Sequence, residues 1–269
     1  MGFIRKIRSV FRLARREYQW HCDAKRFRTE VPQKALMEPP QGRLLVLMPH
    51  SDDEWIGCAR ILLCRSKEVL VLDMNMDGGD DEGLHLRRRE EAVSAAEKYG
   101  YRFVTAHDRY EDLVKIITEE KPSCVFLPCF LDWHEEHIAV MDLFRKAAIQ
   151  TRYAGLVGMY QVSLPIPFKM INSGMAMTKK QWKEKWRLMK SLYGSQSFLP
   201  VKRFAWNEYI NGGTAGAYAV EAYCVLDFEI WKTEYGRNSL SMEEKRFLKD
   251  NLQNMEIVRK YIEENGGVK

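Results

Sequence analysis

The sequence predicts an α/β fold built on a mostly parallel sheet with helices on both faces. Three observations carry that expectation. Short apolar runs of strand length at 44–48 (LLVLM), 68–74 (EVLVLDM) and 124–127 (CVFL) alternate with segments of helical period. Strands that alternate with helices pair in parallel through right-handed crossovers. The runs at 44–48 and 124–127 each close on a proline, which donates no ladder hydrogen bond. Each is then followed by histidine and carboxylate residues at the start of a helix, so both groups should emerge at one sheet edge.

Residues 3–18 read as an amphipathic helix, with Ile4, Ile7, Phe11, Ala14 and Tyr18 three and four apart and Arg or Lys on the other faces. Residues 29–42, with Pro32, Pro39, Pro40 and Gly42, read as a linker. After the strand at 44–48, residues 55–63 read as a helix that Asp52 and Asp53 are placed to cap. The strand at 68–74 leads to an acidic, glycine-rich loop at 75–83, which has no GxGxxG or GKS/T pattern and would repel phosphate. A helix at 84–99 carries Ala92, Ala95 and Ala96 on its close-packing side and stops at Gly100. A short strand at 101–106 and a helix at 111–120 precede the strand at 124–127, and a helix follows at 138–149. Further on come a strand at 158–164, a helix at 178–191 and a polar, pocket-lining loop at 207–214 (NEYINGGT). The chain ends with an apolar strand at 217–226 and one charged amphipathic helix at 242–264. Three units result: a basic amphipathic helix and linker at 1–42, the α/β domain at 43–235, and a C-terminal helix packed on it at 236–269.

A chain of 269 residues with 46% apolar and 12% aromatic content can bury a sizeable core. Its formal charge of +5 is unevenly spread. Residues 1–28 hold nine Lys or Arg against Glu17 and Asp23, a balance of +7, which leaves −2 for the remainder. The body therefore gives no reason to expect nucleic acid. Two uses compete for the basic helix: packing on the body, or lying on an anionic membrane surface. The six cysteines show no CxxC spacing and lie mostly in apolar runs, as expected of buried thiols in a reducing compartment. The start MGFIRKIRS lacks the apolar core of a secretory signal, and Lys6 stands where a myristoylation signal wants Ser or Thr. The expectation is a cytoplasmic protein, peripheral at the inner membrane face where residues 1–28 serve as the contact. The sequence assigns no oligomeric state.

The chemistry concentrates in two clusters, His50-Ser51-Asp52-Asp53-Glu54 and Asp132-Trp133-His134-Glu135-Glu136-His137. Acidic residues before a helix are ordinary caps, and for Asp52 and Asp53 alone that reading would suffice. His50 shifts the balance, because His50 and Asp53 flank a strand-to-helix bend and zinc accepts both ligand types. The second cluster brings histidine and carboxylate to the equivalent position of another strand, which favours a shared metal.

These stretches carry a resemblance. PHSDDEWIGC is similar to the PHPDDE motif of the PIG-L/LmbE-like N-acetylglucosaminyl deacetylases, and DWHEEH resembles their later HxDH motif. Arg88-Arg89-Glu90-Glu91 looks like their RxxE helix, and the Lys-rich helix ending at Ser195-Gln196 looks like their K…SQ segment. The resemblance spans roughly 43–225 and implies a Rossmann-like sheet, one divalent metal, usually zinc, and hydrolysis of an N-acetyl group from an N-acetylglucosamine-type sugar. Carried onto matching positions, it implies His50, Asp53 and His137 as metal ligands, Asp52 as general base and His134 as the group facing the oxyanion. Arg88 would contact substrate, and Glu54 would bind substrate hydroxyls, orient a ligand or cap the helix. Asp132 and Glu136 would stand behind the ligands, with Glu136 one methylene longer than the usual aspartate. Ser51 replaces the usual proline.

The chemistry agrees with that reading: zinc on three protein ligands keeps a place for water and polarises an acetyl carbonyl. Such a site also accepts other divalent transition metals. The alternatives are metal-dependent hydrolysis of another acyl or amide conjugate, and a non-catalytic sugar-binding domain.

Overall fold

The structure, a computed structural model, describes residues 2–76, 81–197 and 199–267, with side chains from residue 11 onward. Among these residues seven strands form one sheet: β1 (Leu44–Met48), β2 (Val69–Asp73), β3 (Arg102–Thr105), β4 (Cys124–Pro128), β5 (Leu156–Tyr160), β6 (Ser173–Met177) and β7 (Ala219–Asp227). Their order is β3-β2-β1-β4-β5-β7-β6. Strands β1 to β5 are parallel, and β7 runs antiparallel to both β5 and β6. The α/β, Rossmann-like expectation is met. The order reverses between β1 and β4, and a crevice opens at such a switch point beyond the carboxyl ends of the strands.

The helices are α1 (Gly2–Glu30), α2 (Asp53–Cys64), α3 (Glu82–Tyr99), α4 (Arg109–Glu120), α5 (Glu135–Gln150), α6 (Lys179–Leu192), α7 (Val201–Asn211), α8 (Phe228–Arg237), α9 (Met242–Asn251) and α10 (Met255–Asn265). Alternate strand residues feed two cores. Leu45 and Leu47 of β1 face the layer that holds α1, α4, α5, α8 and α10. Leu44, Val46 and Met48 face α2, α3 and α6. Each such side chain, fully buried, contributes about 1.5–3 kcal/mol relative to exposure. On α2, Gly57 lets the helix sit against Tyr160, since a Cβ there would lie 2.2 Å from the ring.

Several elements differ from the sequence reading. Helix α1 continues to Glu30, past the predicted end at 18, because Trp20, Ala24, Phe27 and Val31 form a buried stripe. Its Arg28 donates to the carbonyls of Tyr209, Ala217 and Tyr218. Gly212 and Gly213 permit that approach: a Cβ on either would come within 2.7 Å of Arg28 atoms. The predicted apolar positions Ile4 and Ile7, and residues 77–80 of the acidic loop, lie outside the described side chains.

The segment 207–214 is not a polar loop. Most of it belongs to α7, where Asn207, Glu208 and Asn211 turn inward and find partners. Strand β6 (SGMAM) has too little apolar alternation to read as a strand and forms the sheet edge. The C-terminal segment is not one helix. It breaks at 252–254, where the Asn254 side chain accepts from the amide of Ile257 and starts α10.

Candidate metal centre

Strand β1 ends at Met48, and residues 49–52 turn the chain sharply into α2. The turn needs an unusual backbone: Asp52 has φ 151° and ψ −18°. A non-glycine residue held there stores about 1–3 kcal/mol of strain, a cost found most often at functional sites. Asp52 forms no side-chain cap bond to α2. Asp53 turns its carboxylate back, and Oδ2 accepts from the His50 amide at 3.0 Å. The capping reading of these two aspartates is thereby corrected.

From β4 the chain runs through Asp132 to α5, whose first residues carry the second cluster. His137, in the first turn of α5, is buried and meets the first cluster across the switch point. His50 Nδ1 lies 3.1 Å from Asp53 Oδ2, His137 Nε2 lies 3.2 Å from His50 Nδ1, and His137 Nε2 lies 3.4 Å from Asp53 Oδ2. Tetrahedral zinc with bonds of about 2.0–2.1 Å separates its ligand atoms by about 3.3 Å. The three atoms therefore form one face of a tetrahedron of the right size.

Each histidine is also backed by a carboxylate. Asp132 Oδ2 lies 2.7 Å from His137 Nδ1, and Glu136 Oε2 lies 2.5 Å from His50 Nε2. A histidine that donates one ring N–H to a carboxylate presents its other nitrogen, as a lone-pair donor, to a metal. The extra methylene of Glu136 is the length that reaches His50. Asp132 also accepts from the His134 amide at 3.0 Å, fixing the start of α5.

His134 completes a group of three imidazoles, each with one ring nitrogen within 4.8 Å of the others. It stacks on His137 with ring centroids 4.7 Å apart. Its own surroundings differ, however. Burial and the neighbouring His137 and His50 lower its pKa, which favours the neutral ring. Burial opposes charge on His137 too, but Asp132 and Asp53 outweigh it and raise the pKa to about 10. Burial likewise works against the Asp53 carboxylate, yet His137 and His50 hold it well below the usual range. Anion and imidazoles thus share protons that a bound cation would displace.

These side chains line a cavity of about 370 Å³ together with Asp52, Arg88 and Glu136. Glu54 does not belong to it. Its side chain is fully buried and accepts from the Tyr193 hydroxyl, and burial pushes the carboxyl up to about 8. The expectation that Glu54 binds substrate, orients a ligand or caps α2 is corrected: it is a core partner of Tyr193. The adjacent Ser195 and Gln196 also hold the frame. Ser195 Oγ donates to Glu91 Oε2 at 2.5 Å, and Gln196 Nε2 to the Ser51 carbonyl at 3.3 Å.

Sequence reasoning missed Arg203, Phe204, Leu252 and Gln253, which form the outer wall of the cavity. Arg203 is buried and donates from Nη1 to the carbonyls of Ser163 at 3.0 Å and Leu252 at 3.1 Å. Burial lowers its pKa to about 10, against the pull of Asp132. An arginine within an amphipathic helix gives no local signal of such a position.

No protein-family model matches the chain, and no curated protein does. Solved structures do. An N,N'-diacetylchitobiose deacetylase from Pyrococcus horikoshii, complexed with an inhibitor, matches with a TM-score of 0.56 and 18% identity, over 70% of this chain and 85% of its own. A triple mutant of a deacetylase from the teicoplanin biosynthetic pathway matches at 0.51 and 19%, over 69% and 98%. The A40926 pseudoaglycone deacetylase matches at 0.50 and 18%, over 70% and 99%. This chain shares their fold.

Proposed function

We propose that the protein is a metal-dependent N-deacetylase of the PIG-L/LmbE type, acting on an N-acetylglucosamine-type amino sugar or its conjugate. The observation that carries the reading is the triangle of His50, Asp53 and His137 donor atoms, sized for a tetrahedral ion. Zinc is the metal that this mixed imidazole and carboxylate set suits, with other divalent transition metals as competitors. The structures that share the fold include deacetylases, which supports the same choice of reaction.

When bound, the metal polarises the acetyl carbonyl and lowers the pKa of water. Asp52, on the same cavity wall, takes the proton of the attacking water and passes it to the leaving amine. His134 donates to the developing oxyanion, a role worth about 2.7–4 kcal/mol where a single such donor is removed. Arg88 binds the sugar, and Asp132 and Glu136 keep the two ligand histidines oriented. The decisive experiment is a panel of N-acetylated sugars scored for acetate and free amine. Release of both from at least one sugar, lost on chelation, is the expected result; metal content without turnover would favour a sugar-binding domain.

The proposal extends to location. Phe11, Leu13 and Tyr18 of α1 are exposed among Arg12, Arg15 and Arg16, while the helix is anchored from Trp20 onward. That mixture suits peripheral contact with an anionic leaflet. Among the described residues no helix is long and apolar enough to cross a membrane. The free thiols suit a cytoplasmic setting.

A further inference from the structure

Arg203 of α7 lines the metal cavity and is only 5% exposed, yet part of its guanidinium is unused. Both of its hydrogen bonds, to the carbonyls of Ser163 and Leu252, come from Nη1. Nε is buried and has no partner among the described residues, and no bond runs from Nη2. A tie between α7 and the turn after α9 needs one nitrogen only, and a lysine ammonium has donors enough for both carbonyls. Beyond the outer wall lies a second cavity, of about 580 Å³, between α1 and the segment 189–202. Gln196, Leu199, Pro200 and Gln253 line both cavities, and Arg203 lines only the one that holds the metal ligands. The free edge of the arginine therefore belongs to the metal cavity.

What this edge lacks is an acceptor and not a counter-charge. The Asp132 carboxylate acts on Arg203 through space and offsets part of its charge. A second donor of the same cavity is in the same state: the Trp133 indole Nε1 is buried without a partner among the described residues. Both side chains are braced from the C-terminal segment. The Leu252 carbonyl holds Arg203, and the Lys249 ammonium lies 5.4 Å from the centroid of the Trp133 ring. Two buried donors that converge on one cavity without acceptors call for a ligand rich in oxygen.

We propose that Arg203 contacts the substrate and sets its specificity, its Nε–Nη2 edge donating to a hydroxyl oxygen at C3, C4 or C6 of the amino sugar. The proposal rests on the deacetylase reading. The planar fork suits the task, because Nε and Nη2 present neighbouring N–H groups while Nη1 keeps its hold on the protein. A buried charged donor that gains an acceptor only when the right substrate binds disfavours an analogue lacking that oxygen. Arg88, the sugar contact that the motif implies, reaches the cavity from α3 and is a separate element of the site.

The test uses full-length, zinc-loaded protein and Arg203→Lys, which keeps a charge and donors for both carbonyls but has no second nitrogen. Acetate release is measured on N-acetylglucosamine and on its 3-deoxy, 4-deoxy and 6-deoxy analogues. Arg203→Lys should hold zinc and melt near wild type, yet lose about tenfold or more in kcat/KM on the parent sugar. On at least one analogue, the one without the hydroxyl concerned, that loss should shrink to about twofold. Arg203→Gln gives the same comparison should the lysine variant melt early. Equal loss on all four substrates would make Arg203 a structural tie and overturns the proposal, as does no loss on the parent sugar. Acetate release from no acetylated sugar by wild type would remove the deacetylase reading, and an NMR titration then decides the contact. N-acetylglucosamine should bind wild type about tenfold more tightly than Arg203→Lys, and equal binding, or none by either, overturns it.

Discussion

Replacing Lys185 with methionine tests the support beneath the metal centre. Its ammonium is fully buried and has three N–H groups and three acceptors. Nζ lies 2.5 Å from Glu208 Oε1, 2.6 Å from Glu221 Oε2 and 2.8 Å from the carbonyl of Ile56 in the first turn of α2. The carboxylates are held from their other sides by Trp186 Nε1, the Tyr223 hydroxyl and the amide of Arg60. Methionine fills the volume but leaves two carboxylates facing each other. Removing one partner of a buried ion pair costs about 3–5 kcal/mol. For a chain of this length, with an unfolding entropy of about 2.1 cal/mol/K per residue, that is a fall in Tm of about 5–9 °C.

The pH dependence follows from the same contacts. Burial raises the Glu208 pKa to about 7, against the pull of Lys185. A carboxyl raised on folding contributes stability that is full below its unfolded pKa, about 4.3, and is lost as pH rises through its folded value. Without Lys185 the folded value moves higher still, so the variant's deficit should widen between pH 5.5 and 8.5. Adding Glu208→Gln, which keeps an acceptor for Trp186, should recover part of the loss at the alkaline end. Urea unfolding at several pH values measures all three proteins. A deficit under about 1 kcal/mol at pH 8.5, or one equal at every pH, would refute the assignment of Lys185 as the charge that holds this core together.

Purified protein should carry about one divalent ion per chain, and His137→Ala should lose it by elemental analysis, since three ligands are the minimum for a zinc site of this kind. Asp52→Asn should keep the metal while turnover falls about 100-fold or more; loss of metal instead would assign the ligand role to Asp52. Asp52→Gly should also be inactive, yet melt no lower than Asp52→Ala, because glycine relieves the backbone strain at φ 151°. Full-length protein should co-sediment with anionic but not neutral vesicles at low salt, and Arg12→Glu/Arg15→Glu should abolish it; equal sedimentation of both proteins would leave α1 as a packing helix.

The central half of the sheet was legible because its signals are local. An apolar run, a proline and a helix start define β1 and β4, and the ligand candidates sit within a few residues of each strand end. That local clustering brought His50 and Asp53 together and marked 132–137 as the source of a further ligand, while the choice of His137 came from the resemblance to the HxDH motif. Glu54 misled because burial is not written beside a residue: the same acidic run sends Asp53 toward His137 and Glu54 toward Tyr193. Segment 207–214 misled because its polar residues are paid for by distant partners, Glu208 by Lys185 and Asn211 by Gln161. Arg203 and Gln253 reach the cavity only through packing of α7 and the α9–α10 turn, and no spacing in the sequence encodes that.

The terminal segments nevertheless do more than cover the core. The partition between the two cavities includes Gln253, whose carbonyl is gripped by Trp20 of α1, while the preceding carbonyl, of Leu252, is gripped by Arg203 of α7. One turn between α9 and α10 is thus tied to the first helix of the chain and to the helix before β7. The donor atoms stand in the turn after β1 and in the first turns of α2 and α5, where Gln196 braces Ser51 and Lys185 braces Ile56. Leu252 and Gln253 line the cavity that holds those atoms, while Leu13, Arg16, Glu17 and Trp20, from the opposite end of the chain, line the neighbouring one. Changes in the termini should therefore reshape these cavity walls without moving His50, Asp53 or His137. Helix α1 is tied to these walls by the Trp20 indole on the Gln253 carbonyl and by Glu17, which accepts from Lys202.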